Sequence, residues 1–168
     1  NQYAVAAKLT SLLSAGPDDA REACKDGSPV AQAKVEACEY ATRVLYTLSL
    51  ERDNREPLSS AGSITQLVRQ LKGGSETAQT LAAEALIQIA RMSPELRVQV
   101  VQQLVALLSS ESNDVRQRSG NTLREMSLTK QGTEDPAHQR AAAAAGGVAP
   151  LVQLLRSGLE DERVEAQE

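Results

Sequence analysis

Leu151-Val-Gln-Leu-Leu-Arg-Ser-Gly158 is the stretch on which the reading of this chain turns, because it recurs. Leu104-Val-Ala-Leu-Leu-Ser-Ser110, Leu67-Val-Arg-Gln-Leu-Lys-Gly73 and Leu9-Thr-Ser-Leu-Leu-Ser-Ala15 keep its leucines at the first and fifth positions. Successive copies begin 58, 37 and 47 residues apart. Those intervals bracket the ~40–47 residues of helical repeat units, and the longest of them requires an insertion.

Outward from each copy the pattern continues. A polar turn follows, then a longer segment whose small and apolar residues recur at spacings of three and four, the signature of an amphipathic helix. The second such segment is predicted from about Ser75 to Met92, with Ala78, Ala82, Leu86 and Ile89 on its core stripe. The third carries Val115, Ser119, Leu123 and Met126, and the first Ala37, Ala41, Leu45 and Leu48. A fourth begins at Val164. Ahead of each later Leu-rich copy, a short helix is predicted from a start signal: Asp53 with Glu56, Ser93-Pro94-Glu95, and Asp135-Pro136. Such side chains satisfy orphan backbone donors, and a proline in the first turn has no donor to lose. Gly62 and Gly146-Gly147 then mark sharp bends.

The repeating unit is short helix, bend, Leu-rich helix, polar turn and long helix, and it resembles the armadillo repeat. The closest stretch is Ala143-Ala-Ala-Gly-Gly-Val-Ala-Pro-Leu-Val-Gln-Leu-Leu-Arg-Ser-Gly158, similar to that family's junction between first and second helices. The resemblance implies an all-α fold, a right-handed α-solenoid of about four repeats with the terminal ones incomplete. As one domain over 1–168 it divides near 1–51, 52–92, 93–130 and 131–168, with the insertion at 15–32. A HEAT-type array is the alternative at the level of fold.

Composition agrees with helices. Of 168 residues, 25 are Ala and 21 Leu, with no Trp or Phe and three Tyr, so any core is aliphatic and close-packed. The net charge is −4 and no basic run exceeds a pair, which leaves no footprint for nucleic acid. The longest apolar stretch, 141–152, is interrupted by Gly and Pro and is far below the ~20 residues of a membrane span. No secretory leader is visible, and Cys24 and Cys38 do not form a disulfide framework. An intracellular setting, cytoplasmic or nuclear, is the expectation.

In the armadillo family the partner surface is lined mainly by the third helix of each unit. The resemblance therefore implies a stripe about 120° around each long helix from its core stripe. Its members here are Tyr40, Arg43 and Thr47; Leu81, Glu84 and Gln88; and Arg118, Asn121 and Glu125. Import adaptors of the importin alpha type place Trp and Asn where this chain has Arg43, Glu84, Asn121 and Thr47, Gln88, Glu125. A repeated cation–π platform for basic signals is thus absent. Arg43 and Arg118 are offset by Glu84 and Glu125, so the surface is mixed in charge; as plain surface it would be a solvated polar face.

Sites of chemistry were sought as well. One His and two Cys fall short of a zinc set, so neither metal nor cofactor is expected. His138 reads as a surface residue, Cys38 as a small buried hydrophobe and Cys24 as exposed, with a redox pair the remote alternative. Ser127-Leu-Thr-Lys130 matches a Ser-x-x-Lys pattern without its companions. Gly73-Gly74 and Gly146-Gly147 lack a P-loop continuation. Gly120, inside a helix, reads as a point of close helix approach, and Ala141–Ala145 as small-residue packing. The insertion reads as a tolerated surface loop or, alternatively, a projection for a partner.

The function expected is a non-catalytic protein–protein interaction module or scaffold that binds an extended peptide or a partner helix. A structural subunit of a larger assembly, with contacts outside the groove, is the alternative. An enzyme is expected only if a further domain carries the catalysis. Neither end has the polar capping unit usual for a solenoid, so a longer parent chain or a stacking partner at the open ends is expected.

Overall fold

A computed structural model describes residues 2–16, 18, 20–25, 27–127, 136–153 and 156. Regular secondary structure among them is helical throughout. In chain order the helices are α1 (Gln2–Ala15), α2 (Ala20–Lys25), α3 (Pro29–Ser49), α4 (Arg55–Ser60), α5 (Ser63–Gly73), α6 (Glu76–Met92), α7 (Pro94–Leu107), α8 (Asn113–Ser127) and α9 (Pro136–Ala144). A 3₁₀ turn, Arg52–Asn54, precedes α4, and residues 148–153 are again helical. The chain forms two compact units, Asn1–Val100 and Val101–Glu168. The start of the fourth long segment, at Val164, lies outside the described residues, as do Asp135 and Lys130.

Helix starts follow local chemistry. Ser75 Oγ accepts from Ala78 N at 3.2 Å and Ser93 Oγ from Leu96 N at 3.2 Å, each meeting one of the donors a helix leaves unpaired. Pro29, Pro94 and Pro136 occupy first positions, where a missing N–H costs nothing. The predicted start at Asp53 moves one residue on: Asn54 precedes α4, and its Nδ2 donates to Leu48 O at 2.9 Å, closing the end of α3 instead.

Both predicted bends carry a left-handed glycine. Gly62 has φ +69° and Gly146 φ +77°. After α9 the N–H of Gly147 reaches Ala142 O and that of Gly146 reaches Ala143 O, both at 3.0 Å, the paired bonds of a Schellman ending. Only glycine takes that φ without strain. The short helix expected after Ser93 differs. Residues 94–107 contain no glycine and form one continuous helix, α7, so the expected bend before Leu104 is absent. The same holds at the start, where α1 is a single 14-residue helix.

In the first unit α3 packs on α1, α2 and α6, while α5 packs on α1, α4 and α6. Their seam is aliphatic: Leu13, Leu45, Leu58, Leu67, Leu71, Leu86 and Ile89 are fully buried. Ala78, Ala82, Leu86 and Ile89 all lie in it, and Val115, Ser119, Leu123 and Met126 are buried in the second unit. On α3 the stripe is Val35, Cys38, Ala41 and Leu45, and Ala37 is exposed. At 3.6 residues per turn, position 37 has rotated about 80° from position 45, whereas 38 lags it by only about 20°. Buried hydroxyls find partners within their own helices, as Thr42 donates to Cys38 O and Ser119 to Val115 O.

The insertion is built onto the first unit. The Arg69 guanidinium on α5 donates to Leu13 O at 2.6 Å and Gly16 O at 2.8 Å, and to Asp18 Oδ1 at 2.7 and 2.9 Å. A cation thereby meets the carbonyl end of α1. Ala20 of α2 is buried, and a β-carbon on Gly16 would sit 2.1 Å from Cys38 Sγ.

Candidate functional site

The sequence-predicted stripe divides over the two units. Six of its nine residues stand on α3 and α6, which pack directly on each other. Tyr40, Arg43, Thr47 and Glu84 are exposed, and Leu81 and Gln88 half-buried. On α8, Asn121 and Glu125 are exposed and Arg118 is half-buried. The two helices of the first unit are tied at one end: Ser75 Oγ donates to the Glu39 carboxylate, which sets α3 against the N-terminus of α6.

The chemistry of this face is mixed. Tyr40 is 68% and Val44 41% exposed; one turn apart on α3, they leave an uncovered apolar strip, while Leu81 of α6 is half-buried. Arg43 of α3 and Glu84 of α6 are exposed and opposite in charge, and neither enters an ion pair among the described residues. The arrangement offers one aromatic surface, one aliphatic surface and one charge of each sign.

A second feature escaped sequence reasoning. In the second unit α8, α9 and the helical residues 148–151 line an open pocket of about 350 Å³. Its wall is made by Gly120, Leu123 and Arg124 of α8, His138 and Ala142 of α9, and Leu151. His138 is 3% exposed, which corrects its reading as a surface residue. It lies one helical turn before Ala142 and shares the face of α9 turned to the pocket. Gly120, read as a point of close helix approach, lines this open space.

Side-chain size differs between the two segments that precede the left-handed glycines. Four residues before Gly62 stands Leu58, 1% exposed; four before Gly146 stands Ala142. Three residues before the buried Leu45 stands Thr42; three before the buried Leu123 stands Gly120. At both places the later copy has the smaller side chain.

The remaining predicted chemistry is quiet. Cys38 is a free, buried thiol, and burial pushes its pKa up, against a smaller opposing pull from Arg69. The side chain of Cys24 lies outside the described residues. Ser127 Oγ donates to Arg124 O at 2.6 Å within its own helix. Among the described residues no group of His, Cys, Asp and Glu could hold a metal ion, and no helix is long and apolar enough to cross a membrane. Comparison with family models, curated proteins and solved structures returned no match.

Proposed function

We propose that the chain is an armadillo-like array of about four units and acts as a non-catalytic protein-binding module. Its partner is an extended peptide or a helix laid along the long helices α3 and α6, with α8 carrying the same register positions. The observation that carries this reading is the face of α3 and α6. On two helices packed together, Tyr40 and Val44 stand uncovered, with Arg43 and Glu84 lacking ion-pair partners among the described residues.

Energetics favour a partner for such a face. Scattered exposed apolar side chains need no explanation, but an aromatic residue next to an aliphatic one, with exposed charges of both signs on the same two helices, supplies both anchor and orientation. Tyr and Arg are the residue types most enriched among binding hot spots. The repeat reading is supported by the two left-handed glycines, each followed by helical residues of a Leu-rich copy.

The test is a fluorescence titration of peptides selected on the wild-type protein against an Arg43→Glu, Glu84→Lys double variant. Both positions are exposed, so folding is preserved. Affinity is expected to fall by about tenfold or more, on the scale of loss at a hot spot. Unchanged affinity would remove the face of α3 and α6 from the binding surface.

A further inference from the structure

We draw no further inference here: the strongest candidate, the open pocket lined by α8, α9 and residues 148–151 of the second unit, carries none, because nothing in the structure shows what covers it.

Discussion

Gly62 and Gly146 turn the chain in the same way, yet what stands around them differs. Before Gly62 the short helix α4 carries Leu58, fully buried in the first unit. Before Gly146 the corresponding helix, α9, offers Ala142, and α8 offers Gly120 where α3 has Thr42. The backbone device is shared and the side-chain filling is not. Repetition of a left-handed glycine preserves the path of a repeat, because few other residues tolerate that φ. Side-chain volume before it is free to change, and an open pocket lies beside Ala142 and Gly120.

Several experiments would break or sharpen this comparison. The largest effect is expected at the filled bend. Leu58→Ala should cost about 2–5 kcal/mol in urea denaturation, as buried leucine truncations do; a cost under about 1 kcal/mol would mean that the first unit is no better packed there than the second. Next comes the seam of the insertion. Gly16→Ala forces its β-carbon against Cys38 Sγ, and a loss of about 1–3 kcal/mol is expected. Adding Cys38→Ala should recover most of it.

Removal of the Arg69 clamp should follow at a similar or slightly smaller scale. Arg69→Met leaves Leu13 O and Gly16 O without their donor and should cost about 1–3 kcal/mol. Asp18→Asn should cost much less, since that carboxylate is 94% exposed and its ion pair is screened. The two bends themselves give a smaller pair of effects. Gly62→Ala and Gly146→Ala should each lose about 1–2 kcal/mol through the left-handed φ. Nothing lies within 4 Å of either added β-carbon, so the two losses should agree; a large disagreement would show that the bends are not equivalent.

The smallest effect is in pH. The Cys38 pKa is raised by burial above its ordinary value. In the unfolded chain the thiol therefore ionises first, so its contribution to stability is complete below that ordinary value and is lost as pH rises through the folded one. Denaturation midpoints measured from pH 7 upward should fall slightly, and Cys38→Ala should flatten that slope.

Much of the architecture was legible in the sequence. Helix-period spacing located α6 and the cores of α6 and α8, because small and aliphatic residues at three and four fix one face. Serine and proline marked the starts of α6 and α7. Where reading failed, the cause was geometric. Ala37 lay one residue off because a spacing of four, taken twice, drifts around the helix. A bend was expected before Leu104 on the analogy of its neighbours, yet with no glycine in 94–107 the helix simply continues. His138 looked like surface by its polar neighbours, although its spacing from Ala142 puts both on one face. The insertion, read as a surface loop or a projection for a partner, left its anchorage unread, because the contacts that hold it, from Arg69 and Cys38, come from positions distant in sequence.

The site was legible only as register. Counting from the core stripe locates Tyr40, Arg43 and Glu84, and the packing of α3 on α6 puts their helices side by side. No count shows that Val44 stays uncovered beside Tyr40, because that depends on what packs against α3. The pocket was not legible, because it depends on how α8 and α9 pack.

The central claim is that a partner lies across α3 and α6, and photo-crosslinking from position 40 tests it most directly. With p-benzoylphenylalanine replacing Tyr40, irradiation in the presence of a selected peptide should yield a crosslinked product, mapped by mass spectrometry to the peptide. The product should disappear in the Arg43→Glu, Glu84→Lys background. A peptide that binds undiminished and never crosslinks from position 40 would contradict the account.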